Sequence, residues 1–459
     1  DFSLLALGVL IASATANGSF RAYMELADGD EVNASSLAVG ATYAIRAKAV
    51  SGQPGGGAKF SLLSIDYNAA TAKAGDAAGG TYNGDAHISA AGSVKIDVSG
   101  NVDVILEGKL EAIARIGAAQ ISTDGAEVGV NIVDADAAAK QRAYISGISN
   151  FIVGGSVNVD SKLNPYGALP GDCMAYAETG TSYGLRLSFL SGDANAVSAG
   201  TQTENLAYIS SSNIAAEGNL GVIATSVATA KAEVLDDSLA SISGIKLCVT
   251  RASSDIADTV KAYLAGGGTT ISAANVLVQA SGTARANTGV MPPQVSVSLA
   301  NGTSVSGTAE IRNVYTEAYI ASGVTVRAGE CLTVDAAQSV RARVDCAYSA
   351  SYSAIQLGGY ALLAKVTQAE AKAYIDGSVE AEDSITLCAS SDVEELNVSY
   401  EALAASLFSG SANSYAQAKV LSQKAYAQVG GNARLVAIEG DVSISAATSS
   451  NGTLLRSAE

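Results

Sequence analysis

Apolar and polar residues alternate with a period of two along most of this chain, in short stretches bounded by Gly, Asp, Glu or Asn. Val324-Thr325-Val326-Arg327-Ala328, a Gly329-Glu330 turn and the segment Cys331 to Ala336 form a typical pair. Val379 to Ala381, Glu382-Asp383 and Ser384 to Ala389 repeat it, as do Ile214 to Ala216, Glu217-Gly218 and Asn219 to Ala224. Successive side chains of a strand point to opposite faces, so this pattern predicts half-buried β-strands. A longer apolar segment lies upstream, as in Phe60 to Ile65 and Val295 to Ala300. No stretch keeps a 3.6-residue apolar stripe between caps, so few helices are expected.

The strands belong to a repeat. Its landmark is Ala-Tyr followed by an apolar residue, with tyrosines at Tyr23, Tyr144, Tyr208, Tyr263, Tyr319, Tyr374 and Tyr426 and a variant copy carrying His87. Ala175-Tyr176-Ala177 falls off the spacing. Landmarks at positions 22, 86, 143, 207, 262, 318, 373 and 425 make residues 1–459 one continuous array of eight repeats with a period of ~55 residues. Short strands, turns at fixed offsets and a constant period predict an all-β fold, a parallel β-solenoid. The recurring tyrosines, with His87 in one slot, predict a structural aromatic ladder along it. Eight single coils would rise ~38 Å, and two or three coils per repeat ~77–115 Å. Several alternating segments per repeat favour the longer rod.

Composition sharpens this reading. A chain of 459 residues with no Trp, 6 Phe, 5 Pro and 15% charged residues lacks both the aromatic anchors of large globular cores and the charge of disordered chains. Small residues must fill narrow coils. One histidine leaves no His-based triad or multi-His metal site. A net charge of −17 argues against nucleic acid and anionic membranes as partners. Asp28-Gly29-Asp30-Glu31 is the nearest approach to a calcium loop and reads as an acidic turn. No metal or cofactor is expected.

Five cysteines without a Cys-x-x-Cys read mostly as buried thiols, with Cys331 and Cys388 the one candidate disulfide. Sequons at Asn17, Asn33, Asn301, Asn397 and Asn451 are candidate glycosylation sites on the outer face. Asp236-Asp237 and Glu394-Glu395 are adjacent carboxylates whose side chains diverge on a strand, a poor arrangement for joint catalysis. An enzyme is not expected. The run Leu4 to Ala12 has the look of a secretory leader but lacks a basic flank, and a related stretch recurs at Leu357 to Val366, so it reads as a strand. The 21 residues before the first landmark and 35 from the last to position 459 together make one period. Copies joined end to end would therefore keep register, as a head-to-tail filament or as part of a longer solenoid.

An apolar strand, Ala-Tyr-Ile and then Val-x-Ala-x-Gly-x-Val-x-Val-x-Ala, as in Ala318 to Ala336 and Ala373 to Ala389, resembles the bacterial β-strand-repeat surface proteins, including leukotoxin-type filamentous adhesins. The resemblance implies a right-handed parallel β-helix, secretion and display at the cell surface. It transfers no catalytic residue. The expected function is an extracellular filament or surface stalk that stacks head to tail on itself. The alternative is a host- or glycan-binding adhesin segment whose ligand meets the insertions of the two 64-residue repeats. Asn164 to Asp172 and Gly52 to Gly57 are the candidate loops.

Overall fold

The computed structural model describes residues 2–52, 57–75, 82–117, 120–165, 174–179, 185–235, 240–291, 295–347, 350–411 and 414–458. Among these there are strands and turns but no helix. All strand pairing is parallel, and the chain is a parallel β-solenoid. One coil is seen in Ala240–Ala265, Thr270–Ala273 and Val276–Met291, which we call its front, edge and back strands. Eight edge strands stack in one sheet, one for each repeat.

Register shows how much chain one coil uses. Tyr208 pairs with Tyr263, and Tyr263 with Tyr319, so adjacent coils are one whole repeat apart. The expectation of two or three coils per repeat is therefore corrected. Each repeat is a single wide coil, and its alternating segments are the sides of that coil. Eight coils rise ~38 Å, while a 26-residue front strand runs up to ~85 Å. The molecule is a flattened slab with two long sheets facing each other, wider than it is tall.

Small residues explain the thinness. On the inner side of the front sheet Ala143, Ala207, Ala262, Ala318 and Ala373 stack, all completely buried, beside a column of Ile145, Ile209, Leu264, Ile320 and Ile375. Val159, Val222, Val278 and Val334 line the facing back sheet. At the front-to-edge turn Gly147, Ser211 and Gly266 take equivalent places with φ of 76, 49 and 91°. That left-handed conformation favours glycine. The Leu4 to Ala12 run lies within the strand Phe2–Ala16, and its Leu7-Gly8 shares columns with Leu357-Gly358.

Two connections account for most of the extra length of the 64-residue spacings. Nine residues separate Ala74 from Gly84 where three separate their partners Ala137 and Gln141. Eleven separate Leu163 from Ala175 where three separate Ser226 and Ala230. The second matches the loop expected after Asn164, although residues 166–173 lie outside the described residues. The first insertion falls mostly within 75–83, and the expected span Gly52 to Gly57, largely outside the described residues, holds a smaller part of it, five residues separating Ser51 from Gly57 where three separate Ile116 and Gln120.

Candidate functional site

In the landmark tripeptide, alternation turns the flanking Ala and Ile inward and the Tyr outward. Coil stacking then brings the rings together. Tyr23, His87, Tyr144, Tyr208, Tyr263, Tyr319 and Tyr374 form a continuous stack with centroids 4.6–5.4 Å apart and planes within 10°. Each interior ring covers its neighbours' faces, so mainly edges and hydroxyls remain to meet a ligand. Burial pushes the phenols of Tyr208, Tyr263 and Tyr319 well above the usual tyrosine range, and that of Tyr374 to about 12.

His87 is held within this stack. Its Nδ1 lies 2.8 Å from Asp85 Oδ1, and the other Asp85 oxygen accepts from Arg142 at 2.8 Å. Arg142 in turn lies over the rings of Tyr82 and Tyr144. Tyr426 does not join the ladder. It pairs with Lys372, and Gln428 stands opposite Tyr374. A shift of two residues keeps a side chain on the same face while moving it out of its column, which is why the tripeptide alone misplaces this rung.

Between the two sheets runs a polar seam that the repeat pattern does not reveal. Tyr43 donates to Gln141 at 2.8 Å, and Gln141 donates to Ser161 and Asn205, all four side chains being buried. Farther along, Asp258 accepts from Thr203 and from Ser226 at 3.1 Å, while its Oδ2 has no protein partner. Burial raises the Asp258 carboxyl to about 6 against these hydrogen bonds, which act to lower it.

The first part of the front strand is built in the opposite sense to the rest. Ladder pairing is interrupted at one point, between Ser243 and Ile245 and again between Ser298 and Ala300. At the intervening Gly244 a Cβ would stand 2.6 Å from the Phe189 carbonyl oxygen. Around this kink polar residues face inward: Ser64, Glu127, Ser191, Lys246 and Asn301 form one buried column. Asn68 donates to Asn131 at 3.0 Å, and Asn131 to Asn195 at 2.8 Å. The apolar residues of the same strands face outward, with Leu7, Phe189 and Leu299 each more than two-thirds exposed. In Val295 to Ala300 the serines are inside and Val297 and Leu299 outside, contrary to the phase a half-buried strand ordinarily adopts.

The remaining sequence candidates are dispersed. Cys331 pairs with Ser384, and Cys388 with Asp335, so the two thiols lie four residues apart along neighbouring strands. That offset is ~13 Å, beyond the span of a disulfide. Neither is in a disulfide, nor are Cys248 and Cys346, and Cys173 lies outside the described residues. Burial pushes the Cys346 thiol up to about 12.

Asn17, Asn33 and Asn451 are exposed and Asn397 half-buried, but Asn301 faces the interior and donates to Ser351 at 2.8 Å. Its amide is closed to glycosylation in the folded chain, which corrects that assignment. Asp236-Asp237 lies outside the described residues. Glu394-Glu395 does not diverge, because a bulge lies at this point. Glu395 lies 2.8 Å from Arg341, and Glu394 lies 3.8 Å from Arg285. Asp30 accepts the backbone N–H of Ala27 within its turn, and Asp28 that of Ser93 on the next coil. No cluster with metal-ligand geometry occurs among the described residues.

Comparison with protein-family models, with curated proteins and with solved structures found no match for this chain.

Proposed function

We propose that the chain is an extracellular structural protein, a β-solenoid that extends into a filament or surface stalk by stacking end on end with copies of itself. The observation that carries this reading is the match between its first and last coils. The coil positions that pair Glu31 with Lys95 continue through Asn150, Asn213, Thr270, Thr325 and Ser378 to Arg434. Laid on a second copy in the same register, Arg434 falls on Glu31, as Lys95 does within the chain at 2.8 Å. Leu435 then falls on Val32, and Val442 on Leu37, so apolar positions continue apolar columns.

Backbone groups on a coil's free edge are the natural acceptors and donors for another parallel strand. The resemblance of the repeat to bacterial β-strand-repeat surface proteins supports the extracellular setting. An adhesive role for the ladder is less favoured, because its ring faces are engaged with one another.

Negative-stain microscopy of the purified polypeptide tests the proposal. Fibres many multiples of ~38 Å long are expected. Arg434→Glu should shorten them, and Glu31→Arg in the same chain should restore them. Uniform single slabs at every concentration would refute end stacking.

A further inference from the structure

The outward apolar face around the kink is too large and too uniform to be a by-product of folding. It extends over all eight coils, from the Val297 position to that of Ser306. At strand spacings this is ~30 Å by ~38 Å, on the order of 1,100 Å². A soluble monomer's largest apolar patch is usually ~300–600 Å², whereas one side of a standard protein interface covers ~800 Å². Among its described outward positions Arg251 is the one charged residue, in a chain whose net charge is −17.

We propose that this face is an interface between two copies of the chain, packed front sheet to front sheet with their coil axes side by side. Its relief favours a second copy over other occupants. One column runs Leu7, Ile65, Val128, Gly192, Leu247, Gly302 and Leu357, so that from Val128 onward large side chains stand on alternate coils with glycine between them. Leu247 leans over Gly302, where an added Cβ would lie 2.8 Å from its Cδ2, yet Leu247 remains 55% exposed and Leu357 59%. Over the coils from Val128 to Leu357 the result is a set of ridges two coils, or ~9.6 Å, apart, while Leu7, Ile65 and Val128 make a continuous ridge over the first three.

Only a surface with the same repeat stays in step with such ridges across several coils, and another copy of this chain has that repeat by construction. Sheets packed face to face interdigitate at ~10 Å separation, a distance these side chains span. Charge acts in the same direction. Two strongly acidic chains can approach without facing carboxylates only where both are uncharged. The inward polar columns complete the argument, since they leave the outer face as the one place where these apolar side chains find burial.

This inference does not rest on end stacking, and the experiment separates the two. Sedimentation velocity of the full chain should show association that strengthens with concentration, and microscopy should show slabs paired along their flat sides. Leu247→Asp with Leu357→Asp should weaken pairing at least ~100-fold and leave the far-UV circular dichroism unchanged, because both side chains already face solvent. Arg434→Glu, aimed at the coil ends, should leave lateral pairing intact. Three results would overturn the proposal: a wild-type chain whose slabs never pair side by side, a double variant that pairs as tightly as wild type, or phosphatidylcholine vesicles that capture the wild-type chain through this face in place of pairing.

Discussion

The two halves of one front strand, Ala240–Ala265, obey the same alternation and do opposite things with it. Beyond the kink, Ala252, Ile256, Val260 and Ala262 face the core while Lys261 and Tyr263 face out. Near the kink, Ser243, Lys246 and Thr250 are the buried residues, and Ile245, Leu247 and Val249 the exposed ones. Alternation therefore identifies a strand but not its inner face. The interruption at Gly244 does not make this difference, since Ile242 before it and Ile245, Leu247 and Val249 after it all face out. The sense reverses between Val249 and Ala252 within one unbroken alternation, and the apolar side chains left outside need a partner that the coil does not contain.

The largest effect should come from placing a charge inside the conventional half. Ala318→Asp buries an unpaired carboxylate at a fully enclosed site and should cost at least ~4 kcal/mol. Leu299→Asp, on the outward face near the kink, should shift the stability of the unpaired chain by under ~0.5 kcal/mol, when compared at concentrations too low for pairing. Thermal unfolding followed by circular dichroism measures both, and equal losses would erase the distinction between the halves.

Asp258 is a natural exception within the conventional half. Its folded carboxyl titrates near 6 against 3.8 for the free group, so between these values the folded chain binds more protons than the unfolded one. Stability should therefore fall as pH rises from about 4 to about 6, by about 2–3 kcal/mol. Asp258→Asn should remove that slope and leave the protein more stable at pH 7, as denaturant titrations at several pH values will show.

On the outer side of the same half, Tyr263→Ala interrupts the ring stack and should cost ~1–3 kcal/mol, with Tyr263→Phe much milder. The raised phenols keep the folded state neutral above the ordinary tyrosine value. Stability should decline as pH climbs past about 10, and ultraviolet titration should find tyrosines that ionise only on unfolding. The smallest perturbation is chemical labelling. In the native chain a thiol reagent should reach the half-buried Cys331 and Cys388 long before the buried Cys346. Equal rates for all three would mean that the sheets open freely.

Much of this architecture is legible in the residues. Turn pairs such as Gly329-Glu330 place the edge and back strands, and the Ala-Tyr landmarks place seven of the eight coils in register. The coil count per repeat is not legible, since a period counts residues between equivalent points and is silent on how many corners the chain turns. Tyr426 escapes because alternation is unchanged by a two-residue shift. The reversed phase escapes for a deeper reason. Val-Ser-Val-Ser reads the same whether its serines or its valines meet the core, and only neighbouring coils decide between them.

The wide coil also bears on how such a chain comes to fold. Every strand pairing joins residues about one period apart, so no hairpin can form early and hold its place. A first ladder pairing requires closing a loop of some 55 residues, and a stable nucleus requires two complete coils, roughly 110 residues. Once that nucleus exists, each further coil finds its template already laid. The slow event is starting, growth is rapid and directional, and loss under stress should begin at the outermost coils and advance inward one repeat at a time.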